Sequence, residues 1–253
     1  MNVKQRTTRG WLQKRWFWLA VNIAAALPLI WLIWDWSMGN LSVNPIADLT
    51  VRTGKTALIL MMLSLACTPA NILFGFRKAL TVRKSLGLWA FAYAAVHLWI
   101  FFGVDYRFDW GFILDDTLLT KRYIFVGLAA FLTLLPLAIT STRGWMRRLG
   151  RNWTRLHKLA YVAGVLIVLH FLWLAKGGRI EPFVYAAILS FLMIVRIPLV
   201  RRRAVQFRRR INGARSASRP AKQTRQPAPG PMDPLPNTER LEARRIATPI
   251  HPG

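Results

Sequence analysis

Runs of about 20 apolar residues recur along this chain, and each is long enough as an α-helix to cross about 30 Å of hydrocarbon. A spanning segment must satisfy its backbone hydrogen bonds internally, so such runs fold as helices. Six are read, at 16–36, 55–75, 86–103, 122–140, 156–175 and 180–200. They predict an all-α fold, a polytopic membrane bundle of six transmembrane helices. The formal charge of +26 would suggest a nucleic-acid partner in a soluble protein. Here the charge lies between the runs and in the tail, and 54% of the residues are hydrophobic, so no nucleic-acid partner is expected. Twelve Trp and fourteen Phe suit interface belts and helix packing.

The loops set an expected orientation. Segment 1–15 carries Lys4, Arg6, Arg9, Lys14 and Arg15 and no acid. Segments 76–85 and 141–155 are likewise basic and free of acid. The acidic residues Asp35, Asp48, Asp105, Asp109, Asp115, Asp116 and Glu181 all fall on the alternate side. By the positive-inside rule the N- and C-termini and both basic loops are cytoplasmic. The basic start before the first run resembles a signal peptide, but the run from Trp16 to Trp36 is long for one and no small-residue cleavage site follows, so a retained helix is expected. Three parts follow: a basic segment 1–15, a six-helix domain 16–200, and a Pro/Arg-rich tail 201–253. The tail cannot bury a core and reads as disordered, its first half suited to lying along anionic lipid. His251, at its end, takes no role. Pro28, Pro69 and Pro136 fall inside spans and should bend them.

Three of the four histidines, His97, His157 and His170, lie in or at the ends of these runs. A titratable side chain in the bilayer marks a functional site, and imidazole is a common ligand of haem iron. His97 lies roughly 17 Å along the third span and His170 at a similar depth in the fifth. Two histidines on separate helices at one depth suit bis-imidazole haem ligation. Ala90, Ala92, Ala94 and Ala95 precede His97, and Ala163 and Gly164 precede His170. Small residues let a flat macrocycle approach, although they serve close helix packing equally well. His157 is a rise of about 20 Å from His170, so the two cannot share one iron. At the depth of His157 the third span offers Lys84 and Arg83, which bind propionates or phosphate rather than iron. The inner site is therefore an atypically ligated haem, a site for an anionic cofactor, or an interfacial histidine on lipid headgroups. The single cysteine, Cys67, excludes an intramolecular disulfide and a Cys-based cluster and reads as a small buried hydrophobe. No GxGxxG, P-loop, HExxH or zinc-ligand spacing occurs, so redox chemistry must borrow electrons from another molecule.

Four stretches carry a resemblance: LeuGlyLeuTrpAlaPheAlaTyrAlaAlaValHis (86–97), ThrSerThrArgGlyTrpMetArgArgLeuGly (140–150), TrpThrArgLeuHisLysLeuAlaTyr (153–161) and HisPheLeuTrp (170–173). Over about 15–200 the chain resembles the MsrQ family, the haem-binding membrane subunits of the periplasmic methionine sulfoxide reductase system, within the ferric-reductase-like superfamily. The resemblance implies a six-helix bacterial inner-membrane protein carrying haem b and FMN. It implies electron transfer from quinol or a cytoplasmic flavin reductase to a periplasmic molybdopterin-dependent catalytic subunit that repairs oxidised proteins. The family's functional histidines fall on His97, His157 and His170, and the partner is expected on the acidic 104–120 segment. Two departures stand out: Tyr123 follows Lys121 and Arg122 where the family has proline, and the tail is long. A metal-ion reductase with the same core and a proton-coupled transporter are the alternative functions. No inverted repeat or matched pair of broken helices supports the transporter.

Overall fold

The computed structural model describes residues 3–119, 121–174 and 179–217, and among these every regular element is helical. In chain order they are α1 (Val3–Ser37), α2 (Pro45–Phe74), α3 (Ala79–Trp99), a π-helical continuation (Ile100–Asp105), α4 (Trp110–Leu119) and α5 (Tyr123–Ile139). Then come α6 (Arg143–Leu149), α7 (Arg151–Leu156), α8 (Leu159–Leu174), α9 (Glu181–Ile194) and α10 (Pro198–Ala217). Four stretches are long and apolar enough to span a bilayer: Arg15–Ser37, Pro45–Phe74, Ala79–Asp105 and Arg151–Leu174. Two bent pairs raise the number to six, Tyr123–Ile139 with Arg143–Leu149 at 93° and Glu181–Ile194 with Pro198–Arg208 at 78°. The fold is a polytopic helical membrane bundle.

Four helices form its frame. α2 packs along α3 and α5 along α8, and the ring closes through α3 with α5 and α2 with α8. α1 flanks α3 and α2, and α9 flanks α8 and α2. Ala90 and Ala163 are almost completely buried, with Leu65, Met61, Leu134 and Val168 packed around them. Outward faces are the reverse of a soluble protein's. On α1, Ile30, Trp31, Ile33 and Trp34 are all exposed, Trp31 to 68%, which is the surface that lipid rather than water covers.

α2 begins ten residues before the expected 55 because charge does not end it. Asn44 caps its N-terminus, its Oδ1 accepting from the Ala47 amide at 3.1 Å, and Pro45 opens the first turn. In the turn after it, Arg52 bonds Asp48 one turn back and Asp35 at the end of α1, while the Trp31 indole also donates to Asp35 at 2.9 Å. The cluster ties α1 to α2 with no lone charge. Lys55 similarly pairs with Glu181 of α9 at 3.1 Å. Pro28, Pro69 and Pro136 do lie within helices. Cys67 is buried, its thiol on the Leu63 carbonyl at 3.2 Å.

The tail departs from expectation. Within α10, residues 201–217 of the tail are helical, with Arg201, Arg202, Arg203 and Arg210 exposed, as are Leu199 and Phe207. Helix formation there gathers apolar and basic positions that look scattered in the linear sequence. Arg208 closes the far end of α2, its Nη1 donating at 2.7 Å to the Asn71 carbonyl, which also accepts the Gly75 N–H, and at 3.0 Å to the Ile72 carbonyl in the last turn. Residues 218–253, with His251, lie outside the described residues.

Arg52→Gln leaves the Asp35 carboxylate without its cation. We expect a loss of about 1–3 kcal/mol, seen as a lower melting temperature in detergent, whereas joint replacement with Asp35→Asn recovers part of it.

Candidate functional site

The four-helix frame encloses two cavities. The outer one, of about 330 Å3, is lined by Thr50, Gly54 and Ala57 of α2, Ala94 and His97 of α3, Tyr123, Gly127 and Ala130 of α5, and Ile167 and His170 of α8. His97 Nδ1 lies 2.9 Å from the Thr50 carbonyl oxygen, and His170 Nδ1 lies 2.8 Å from that of Tyr123. A carbonyl only accepts, so each Nδ1 carries the proton and donates. Both imidazoles are thereby held as the tautomer whose lone pair is on Nε2. That is the arrangement by which proteins orient a metal-binding histidine. The matched depth read from residue counting thus places His97 and His170 at one cavity.

The inner cavity, of about 480 Å3, is lined by Arg83, Lys84, His157 and Lys158 together with Ser64, Trp153 and Tyr161. His157 does face Lys84 and Arg83, and it does not share a cavity with His170. Its setting differs from the outer pair. The Thr140 hydroxyl donates to the Pro136 carbonyl at 2.6 Å, and His157 Nε2 sits 3.3 Å from that same hydroxyl oxygen. The Trp153 ring stacks on the imidazole at 4.0 Å between centroids, and its indole donates to the Thr140 carbonyl at 3.0 Å. His157 is thus held at the break between α7 and α8. α6 starts just after Thr140, capped by the Thr142 hydroxyl.

Arg196 was not singled out from sequence. Its guanidinium lies over the Tyr161 ring at 4.7 Å and donates to the Leu65 carbonyl, behind two residues of the inner cavity wall. Its Nε and Nη1 are buried without a hydrogen-bond partner among the described residues. A buried cation with spare donors, beside three basic side chains, suits an anionic group. Between the cavities Phe91 and Phe131 stack at 5.4 Å, Phe91 on the inner wall and Phe131 on the outer, and Leu134 borders both. The partition is apolar throughout. No group of three or more His, Cys, Asp or Glu able to hold a bare metal ion occurs among the described residues.

Two histidines, each on a backbone carbonyl in one membrane-embedded cavity, and a third in a basic second cavity, can be set beside known proteins. Residues 53–168 match the family model "Ferric reductase like transmembrane component". The chain is 46% identical over 187 residues to the protein-methionine-sulfoxide reductase heme-binding subunit MsrQ of Rhodospirillum rubrum, covering 73% of this chain and 89% of that protein. It is 46% identical over 179 residues to the MsrQ subunit of Xanthomonas axonopodis pv. citri, covering 68% and 82%. The MsrQ subunit of Xanthomonas campestris pv. campestris is 45% identical over 180 residues.

The chain belongs to the MsrQ family. The resemblance carried by the stretches around His97, Arg147 and His157 therefore holds over most of the chain. The region matched by the ferric-reductase-like model includes Gly54, His97, Gly127 and His157. Within this MsrQ frame, Gly54, Gly127 and the carbonyls of Thr50 and Tyr123 are the site features that residue counting missed. A constant offset between the two helix pairs was the signal available for them.

Tyr161→Leu removes the ring beneath Arg196. A loss of about 1–2 kcal/mol is expected, read as detergent melting temperature, with Tyr161→Phe close to wild type.

Proposed function

We propose that this MsrQ-family chain is a haem-bearing electron-transfer subunit of a bacterial inner membrane. In this reading it carries electrons from quinol or a cytoplasmic flavin reductase to a periplasmic molybdopterin-dependent methionine sulfoxide reductase subunit. One observation carries it: two imidazoles in one cavity between helices, each with Nδ1 committed to a backbone carbonyl and Nε2 left with its lone pair. His97 and His170 would hold haem b, which supplies one-electron redox chemistry. The names of the relatives, heme-binding subunits of this reductase system, support the same assignment.

The chain's own residues account for the rest. Thr50 and Tyr123 fix the imidazole planes through their carbonyls. Ala57, Ala94 and Ala130 keep the outer walls close and apolar, and a dry wall strengthens the electrostatic influence of each nearby dipole. At the inner side Arg83, Lys84, Lys158 and His157 gather positive charge at one cavity. We assign that cavity to a second, anionic cofactor, with haem propionates or the phosphate of FMN meeting these cations, and Arg196 reinforces the field from behind. Haem and flavin quantification of the wild-type protein separates the two. On the outer side Asp35, Asp48 and Glu181 are taken up by Arg52 and Lys55. The catalytic partner is assigned to the 104–120 segment, where Asp105 and Asp115 are exposed. Near-perpendicular to α9, α10 rests on anionic lipid through Arg201, Arg202 and Arg203, with Leu199 and Phe207 entering the acyl boundary.

The purified protein is expected to show a reducible b-type spectrum. His97→Ala and His170→Ala should each abolish the signal of the outer haem, and retention of the full spectrum in both would refute the ligand assignment. His157→Ala should leave that signal and deplete only the inner cofactor. For α10, replacing Arg201, Arg202 and Arg203 by Gln is expected to lower the anionic phospholipid that co-purifies, measured by mass spectrometry, without changing haem content.

A further inference from the structure

The four-helix frame repeats itself in sequence order. The shift that carries Thr50 onto Tyr123 also carries Gly54 onto Gly127, Ala57 onto Ala130, Ala90 onto Ala163 and His97 onto His170. The hydrogen bonds repeat with it, since each histidine reaches a carbonyl 47 residues earlier in the chain. So does the close packing. A Cβ built on Gly54 would lie 3.0 Å from both Cε1 and Nδ1 of His97, and one on Gly127 would lie 2.8 and 2.9 Å from the same atoms of His170. Real Cβ atoms essentially never approach as closely as at Gly127, so His170 must shift beside an alanine there, and the contact at Gly54 is tight enough that His97 must give way as well.

Helix geometry links the glycine to the carbonyl. In an α-helix the C=O of one residue points at the N–H four residues on, and a side chain at that later position covers the turn preceding it. In both halves the glycine stands four residues after the carbonyl that the histidine uses. Its missing side chain uncovers that carbonyl, whose second lone pair takes the imidazole N–H. The same device thus occurs twice, in the same register, on two different helices.

We propose that Gly54 and Gly127 are positioning residues for the haem, each opening the slot in which a ligating imidazole stands against the backbone of the neighbouring helix. This rests on the assignment of His97 and His170 as haem ligands. With the slot open, the imidazole is fixed by its Nδ1–H bond and by contact with bare backbone, which together aim its Nε2. A methyl group in the slot pushes the ring away, breaks or bends the bond to the carbonyl, and rotates the ligand plane.

The test uses the full chain in detergent, with haem per polypeptide and the electron paramagnetic resonance g-values of the oxidised low-spin centre as readouts. Gly127→Ala is expected to lower haem affinity about tenfold or more, the usual scale for losing a ligand's supporting bond. Gly54→Ala, where contact is slightly looser, is expected to keep more haem and shift the largest g-value. Two variants serve as controls. Gly103→Ala places a Cβ 3.3 Å from the Phe108 ring, a tight contact with no imidazole, and Gly144→Ala meets nothing within 4 Å. Both should match wild type in haem and g-values. Should Gly127→Ala fail to elute as a monodisperse species, Gly54→Ala decides the matter alone. Unchanged haem and g-values in the folded Gly54 and Gly127 variants would overturn the positioning role, as would an equal change in Gly103→Ala. If His97→Ala and His170→Ala lose haem while the glycine variants do not, only the positioning role falls. If neither histidine variant loses haem, the ligand assignment itself falls.

Discussion

The bond from each imidazole Nδ1 to a backbone carbonyl is the interaction on which the site depends. Within a bilayer no water stands ready to satisfy a polar ring. His97 and His170 could be accommodated only by finding acceptors, and the nearest are main-chain oxygens of the adjacent helix, Thr50 and Tyr123. Those oxygens already close helical hydrogen bonds, so the imidazole uses their second lone pair. The cost of burying the ring is offset, and the same bond leaves Nε2 as the only nitrogen with a free lone pair. Satisfying the ring and fixing its tautomer are one event.

That bond also dictates the surroundings. It requires glycine on the facing helix, at Gly54 and Gly127, and close approach between α2 and α3 and between α5 and α8. Close approach in turn needs the small residues Ala90 and Ala163 at the packed centre. The inner level of the same frame lacks this arrangement. At the repeat position of His157 stands Lys84, so one imidazole there faces cations instead of a second imidazole. His157 leans on Trp153 and the Thr140 hydroxyl, and Arg196 waits behind Tyr161 with unsatisfied donors. The outer level presents two matched imidazoles and the inner one a cluster of positive charge.

Much of this was legible in the linear chain. Apolar run length marked the spans, since a helix rises by a constant amount per residue and the bilayer has a constant thickness. The same arithmetic placed His97 beside His170 and His157 beside Lys84 and Arg83. It failed where charge was taken as a boundary. α2 starts at Pro45 because Arg52 is neutralised by Asp48 and Asp35, a pairing across two helices that a hydropathy window does not see. It failed again at 201–217, where basic residues suggested unstructured chain but the segment is helical and Arg208 is drawn onto the end of α2. Glycine carries no chemistry of its own, so Gly54 and Gly127 drew no notice until their neighbours were known.

By itself the sequence determined the class of fold, the family, the depths of the three histidines and the side on which charge accumulates. All of these follow from composition and from distance along a helix. Only the tertiary structure decided which nitrogen of each imidazole is committed, which carbonyls hold it, and that the two halves of the frame use one device. Those features depend on what stands opposite on another helix, which periodicity within a single helix does not encode.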